Sequence, residues 1–330
     1  MPQPVSDSFK PAGPLTCCAG GMTVPSRGDD PPIPPAPPAG GSVDLDAARW
    51  FLAASGRVMD RRAFDRLFGG GPAQPVRDAV AAYRNPDGGF GHGMEPDCRS
   101  PGSQPVATAQ ALRTLDEADA WDAGLAAGAC DWLAGRAAEG GGSVAIEPTV
   151  DGWPHAPWWE PPGPEEGRAA SLISTGQLAG VLHARQVRHP WLADATSLMW
   201  QRIDGLTEAG PYDMLGVFRF LDHVPDRERT RAAAARCGEL LLAAGAVDLD
   251  PEAPGETHSP LFYAPLPASA GRVAFDDEVI GAHLDHLERG QRADGGWMFN
   301  WPAWSPAAEA DWRGFVTVEA LCTLRANGRL

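Results

Sequence analysis

Gln291-Arg292-Ala293-Asp294-Gly295-Gly296-Trp297 is the stretch whose reading decides the fold. A helical run from Phe275 to Arg289 ends just before it, two glycines turn the backbone, and a large aromatic follows at once. Glycine ends a helix well because it takes the left-handed conformation at no steric cost. Aspartate ahead of Gly-Gly favours a tight turn by bonding its own backbone. A glutamine at this place can donate to carbonyls left unpaired at the helix end, and the aromatic can fold back over that end and shut out water.

The arrangement recurs at Arg84-Asn85-Pro86-Asp87-Gly88-Gly89-Phe90, again straight after a helical run. A worn copy stands at Arg136-Ala137-Ala138-Glu139-Gly140-Gly141, opening into Ser143. Gly88 and Gly295 are 207 residues apart and Gly88 and Gly140 are 52 apart, so one unit of about fifty residues fits both spacings. A period of that length marks a solenoid or a closed ring of helical hairpins.

The rest of the body reads as helix after helix. Asp44 to Phe68 forms one run, with Leu45, Ala48, Leu52, Val58, Phe64 and Leu67 as core candidates. Val76–Tyr83, Gln104–Leu115, Ala120–Ala137, Ser171–Gln186, Trp191–Leu206, Tyr212–Val224 and Arg227–Ala244 follow, and Phe315–Leu324 closes the series after the Phe275 run. No stretch shows the two-residue alternation of a strand, so the expectation is an all-α domain over 44–330. Six hairpins would fit and would close a single (α/α)6 toroid, one helix of each pair inside and one outside. Residues 1–43, centred on Pro31-Pro32-Ile33-Pro34-Pro35-Ala36-Pro37-Pro38, have no periodicity and too few apolar residues to bury. They are expected to form a disordered Pro/Gly-rich tail, with Met22 as an alternative start to Met1.

Composition excludes several classes. Net charge is −16 with Lys10 the sole lysine, which argues against nucleic acid and against an anionic membrane surface. The six cysteines (17, 18, 98, 130, 237 and 322) form no CxxC pair, so free thiols in a reducing, cytoplasmic setting are expected rather than a disulfide scaffold. Leu15-Thr16-Cys17-Cys18 has neither the basic start nor the apolar stretch of a secretion signal. No run reaches the roughly 18 apolar residues of a membrane span.

Gln291-x-x-x-Gly295-x-Trp297 resembles the QW motif of the terpenoid cyclase and protein prenyltransferase superfamily. The 84–90 copy departs from it with Arg for Gln and Phe for Trp. The resemblance implies an α/α toroid, here a single ring, since the chain has half the length of two-ring cyclases. It also implies an isoprenoid or other apolar substrate and catalysis by a carboxylic acid. Ala274-Phe275-Asp276-Asp277 is similar to the Asp-x-Asp-Asp motif of the family cyclases, with Ala274 in place of the first aspartate. The resemblance makes Asp276 a candidate proton donor, although Asp-Asp at a helix start is also an ordinary cap. The Asp-x-Cys zinc pair of the prenyltransferases is not reproduced by adjacent Asp97-Cys98. His283 and His286, flanking Asp285, read as a solvated face. No metal is expected. No Walker loop, dinucleotide fingerprint or Asp-Asp-x-x-Asp diphosphate motif is present, and no cofactor is expected.

Long loops follow the glycine turns, at Phe90–Ser103, Ser143–Ala170 and Trp297–Arg313. Loops on a rigid scaffold are where function usually lives. Two share a signature, Glu95-Pro96-Asp97-Cys98-Arg99 and Glu309-Ala310-Asp311-Trp312-Arg313, and Glu166-Gly167-Arg168 is a partial version. A mouth ringed by such carboxyls can hold one protonated while its neighbours stay ionised, the condition for a general acid. The same acids would serve as helix caps and ion-pair partners, and recurrence suits that structural role. Glu95 and Asp97 lead the catalytic candidates, with Asp311 and Asp276 beside them. His92, Arg99 and Arg313 are candidate substrate contacts. So are the indoles of Trp153, Trp158, Trp159, Trp301, Trp304 and Trp312, whose faces stabilise a cation by roughly 0.5–2 kcal/mol each and also stack on sugar rings. The same tryptophans could simply plug one end of the ring.

Three functions suit these residues: a cyclase-like acid catalyst on an apolar substrate, a carbohydrate-active α/α barrel using paired carboxylates, and a non-catalytic helical ring binding a protein or peptide.

Overall fold

Asp44 opens the helical body by capping it, its side chain accepting from the N–H groups of Asp46 and Ala47 at 2.9 Å. In the computed structural model, which describes residues 43–161, 167–208 and 210–330, the expected run from Asp44 to Phe68 is two helices, α1 (Leu45–Ser55) and α2 (Val58–Phe68). The break has a physical cause. Gly56 and Arg57 are both extended, and Arg57 turns its guanidinium back onto Asp60 in the first turn of α2.

Ten further helices follow: α3 (Gln74–Ala81), α4 (Pro105–Glu117), α5 (Ala123–Gly135), α6 (Leu172–Ala184), α7 (Pro190–Asp204), α8 (Pro211–His223), α9 (Arg227–Ala243), α10 (Pro260–Tyr263), α11 (Asp277–Arg289) and α12 (Pro306–Ala326). Among the described residues there is no strand, only isolated bridges between Arg84 and Phe90 and between Cys98 and His155. The protein is all-α over this range. Among the same residues no helix is long and apolar enough to cross a membrane. Proline occupies the first turn of α4, α7, α8 and α12, where its missing N–H costs nothing.

Helix α12 starts nine residues earlier than the expected Phe315. Ser305 caps it and Pro306 sets its first turn, so Glu309, Asp311, Trp312 and Arg313 lie on a helix rather than in the loop before one. The apolar period begins only at Phe315, which is why the earlier turns read as loop. His283 also departs from expectation. It is buried against the Leu249 carbonyl, while His286 is exposed beside Glu252. The expected tail lies outside the described residues except for Val43.

Packing passes from α2 to α3, α4, α6 and α8, and from α8 through α10 and α11 to α12, which rests on both α1 and α2. The larger apolar cluster runs from Met59 and Leu112 through Leu182 and Phe218 to Tyr263. A second joins the two ends of the described body, Phe51, Leu52 and Phe64 with Trp297, Leu321 and Leu324.

The three glycine corners make one common bond. Phe90, Ser143 and Trp297, each just past its turn, donate their backbone N–H to Thr108, Thr175 and Thr317 Oγ1 at 3.0–3.1 Å. Gly88, Gly141 and Gly295 have φ of 98°, 99° and 92°, which L side chains rarely adopt. At Gly295 a Cβ would also stand 2.1 Å from the Ala47 carbonyl oxygen. Trp297 folds back as its position suggests, its indole donating to Leu287 O at 2.8 Å across the end of α11.

Candidate functional site

The loop from Gly91 to Ser103, between the first corner and α4, is fastened on every side. Arg57 donates from Nη1 to Met94 O at 2.8 Å and grips Asp60 from Nε and Nη2 at 2.9 and 3.2 Å. Both side chains of this pair are buried, and Asp60 in turn lies against Gly314 of α12, where a Cβ would meet its Oδ2 at 2.8 Å. From the other side, Arg99 N donates to Pro154 O and Ala156 N to Asp97 O, so residues 154–156 pair edge to edge with the loop. Gln104 ties the same two segments by donating to Thr149 Oγ1 and accepting from Glu147 N. Arg168 holds the second loop down through a bidentate pair with Glu147 at 2.7 and 3.0 Å. Glu166 of the partial signature lies outside the described residues.

Glu95 and Asp97 sit at the centre of this frame, only 5 % and 3 % exposed. Burial drives the Glu95 carboxyl up to about 8, and the neighbouring Asp97 charge adds to it. Asp97 is also raised by burial, against the opposing pull of Trp312, Trp304, Arg99 and Trp158. At neutral pH Glu95 therefore carries a proton. Asp97, faced by indole N–H groups and a guanidinium, is the better place for negative charge. Two adjacent carboxyls with different surroundings divide into an acid and a base in this way.

The two signatures meet at this point, though not as equivalents. Arg99 of the first donates from Nη1 to Asp311 Oδ2 of the second at 2.7 Å. Gly93, at φ 76°, makes room for it: a Cβ there would lie 3.2 Å from Arg99 Nη1. Trp312, Trp304 and Trp158 favour the charged Asp97 carboxyl as hydrogen-bond donors, and the Asp97 N–H and Trp159 do the same for Glu95. These contacts are long or bent: by strict distance and angle, Glu95 Oε2, Asp97 Oδ1, Arg99 Nη2 and Nε1 of Trp159, Trp304 and Trp312 close no hydrogen bond among the described residues. Trp301 stands behind, edge-on to Trp312 at 5.1 Å between centroids, with Trp158 exposed at the margin.

Other expected site residues lie apart from the pair. His92 is exposed, with a left-handed φ of 58°, and its Nε2 faces Asn85 Oδ1 at 2.9 Å. Arg313 pairs with Asp294, donates to Trp297 O and stacks over Phe51, so it braces the Gly295 corner. Asp276 is exposed at the start of α11. Trp153 is half exposed. Sequence reasoning passed over Arg57 and Asp60, whose i, i+3 spacing looks like a surface pair, and Tyr83, whose hydroxyl is raised by burial near Arg57. Of the surface hollows, those of about 300 and 280 Å³, beside Arg62 and beside Trp121, contain none of the acid-pair residues.

No protein-family model matches the chain, and no curated protein matches it. A solved structure, described as the crystal structure of a protein from Actinoplanes, is similar to it with a TM-score of 0.53 at 18 % identity, covering 85 % of this chain and 90 % of that one. That likeness concerns the fold alone.

Proposed function

We propose that the chain is a single α/α toroid of the terpenoid cyclase and protein prenyltransferase type, and that it catalyses proton transfer to a substrate held among its rim tryptophans. The packing of α12 on α1 and α2, which brings the last helix to the first two, supports the ring. The observation that carries the activity is the buried pair itself: Glu95 protonated near neutrality, with the Asp97 carboxyl beside it.

In this reading Glu95 gives its proton to an electron pair of the substrate, an alkene π bond or an oxygen, and becomes a carboxylate. The resulting cation lies next to the Asp97 carboxylate, which stabilises it. Loss of a proton from the cation, or its capture by water, completes the step and restores the proton to Glu95. An isoprenoid-like body would suit the tryptophans.

A carbohydrate-active α/α barrel is the second reading. It is favoured by the polar contact between α4 and α12, where Arg113 pairs with Glu319, their side chains 25 % and 34 % exposed. In both readings Glu95 is the acid.

Native mass spectrometry of the purified chain, followed by turnover assays on whatever co-purifies, tests the proposal. Glu95→Gln should lower turnover by at least a hundredfold, the usual worth of a general acid, with the melting temperature held or raised. Turnover unchanged in Glu95→Gln would overturn it.

A further inference from the structure

Three helices each keep one narrow stripe within reach of water. Helix α4 is buried from Ala107 to Leu115 except at Arg113, and α8 from Met214 to Leu221 except at Leu215 and Arg219. Helix α12 is buried from Gly314 to Leu324 except at Phe315, Val318, Glu319 and Cys322. Residues three, four or seven apart share a helix face, so each set is one stripe. The stripes meet. Arg113 donates to Glu319 and lies over the Phe315 ring at 5.1 Å, and Arg219 feels the charges of Arg113, Glu319 and Glu117. Burial is the largest single influence on Arg113, Arg219 and Glu319, although water reaches all three. The space between the stripes is therefore enclosed by protein and wet.

This space leads away from the acid pair. Val106 packs on the Cys98 cluster, and Trp312 favours the charged Asp97 carboxyl. The Tyr212 hydroxyl, raised chiefly by burial, also feels Asp97. Arg113, Arg219 and Glu319 each follow one of these three by seven residues. Seven residues are two turns, so the charged level lies about 10 Å along the helices from the acid pair. Leu215 and Phe315 line the interval.

At that level Arg219 differs from its neighbours. Arg113 donates from Nε to Glu117 at 2.6 Å and from Nη2 to Glu319, which occupies both acids. Asp222 accepts from Ala270 N at 2.6 Å. Arg219 closes no hydrogen bond or ion pair among the described residues. Burial pulls its guanidinium down, and the strongest charge effect on it is repulsion by Arg113, ahead of attraction by Asp222, Glu319 or Glu117. A guanidinium offers five N–H donors in a planar fork that matches a carboxylate or a phosphate.

We propose that Arg219 binds the anionic end group, a carboxylate or a phosphate, of an elongated apolar substrate whose other end reaches the acid pair. This rests on the reading of the acid pair as the catalytic centre, and it makes the substrate an amphiphile rather than a plain hydrocarbon.

Calorimetric titration of the full chain with octanoate, octyl phosphate and octanol tests it. At least one of the two anions should bind, with octanol at least tenfold weaker, and the tighter anion names the end group. Arg219→Met keeps the apolar length of the side chain and should weaken that anion at least tenfold while leaving octanol unchanged. Arg219→Lys keeps the charge and should lose less. Octanol binding as tightly as the anions would overturn the proposal, as would an anion affinity unchanged in Arg219→Met or no binding of either anion. Should Arg219→Met fail to fold, the comparison of anion with alcohol on wild type decides alone. Failure of the catalytic reading looks different: the anion would still bind wild type and Glu95→Gln alike, with no substrate turned over by either. Glu95-dependent turnover that Arg219→Met leaves unchanged, with no preference for the anions, would sink this proposal and leave the acid catalysis intact.

Discussion

Gln291 and Asp44, 247 residues apart, are joined by two hydrogen bonds: Asp44 N donates to Gln291 Oε1 and Gln291 Nε2 donates to Asp44 O, each at 2.8 Å. The same Nε2 also reaches Gly295 O at 3.0 Å. One side-chain amide thus links the start of α1 to the corner after α11, next to the apolar cluster that joins Phe51 to Trp297. Gln291→Ala should cost about 1–3 kcal/mol, because it strands the N–H of Asp44; the Asp44 carbonyl keeps its bond from Ala48 N at 3.1 Å. Urea denaturation measures the loss. Gln291→Glu should recover only part of it, since a carboxylate still accepts from Asp44 N but cannot donate to Asp44 O. Full recovery would show that the donated bond contributes nothing.

The corner threonines give a sharper comparison. Thr317 Oγ1 accepts from Trp297 N and donates to Arg313 O at 2.7 Å, so its hydroxyl is fully used. Thr317→Val keeps the shape and strands the buried Trp297 N–H, at a cost of about 1–3 kcal/mol. Thr108→Val and Thr175→Val remove the same bond from the other two corners and should cost similar amounts. Thermal melts of the three variants check this. A neutral result at all three would mean that the shared bond is incidental to the corners.

Much of this organisation was legible in the sequence because it is local. A helix followed by Asp-Gly-Gly and an aromatic dictates its own turn, and the aspartate bonds that close it run only two residues, from Gly89 N to Asp87 Oδ1 and from Gly296 N to Asp294 Oδ1. Glu95 and Asp97 could be picked out as a candidate pair because polar residues crowd one loop. What local pattern could not show was which arginine meets which acid. Arg99 bonds Asp311 across 212 residues, and Arg313, the matching residue of the second signature, braces Asp294 instead. The two Glu-x-Asp-x-Arg segments differ because one lies in a loop and the other on α12, a difference set by Ser305 and Pro306 upstream. Burial of Arg57 and Asp60 was equally hidden, since it depends on Gly314 allowing α12 to approach.

That buried pair supports the acid loop and should behave as such. Arg57→Met leaves Asp60 charged and unpaired inside the protein and frees Met94 O, a loss on the order of 3–5 kcal/mol. Combining it with Asp60→Leu removes the stranded charge and should restore part of the stability. Substrate turnover should not return with it, because the Met94 tether to the Glu95 loop is still missing. A double variant as active as wild type would show that Arg57 has no part in positioning the acids.

The raised Glu95 carboxyl makes a pH prediction with a definite sign. Its ordinary value of 4.5 applies to the unfolded chain, and burial lifts it to about 8 in the folded protein. Between those values the folded state holds a proton that the unfolded state has released. Stability from this group is therefore complete below about pH 4.5, declines as pH rises toward 8, and is lost above it. Asp97 is shifted in the same direction, so it adds to the decline rather than offsetting it. The total is on the order of a few kcal/mol for a shift of this size. Glu95→Gln, neutral at every pH, should flatten the fall in melting temperature across pH 5–8, and its advantage over wild type should grow with pH. Catalysis by the protonated acid should fall on the same limb, with kcat/KM dropping tenfold per pH unit above about 8. Wild-type and Glu95→Gln melting curves that stay parallel from pH 5 to pH 9 would place the titrating proton elsewhere.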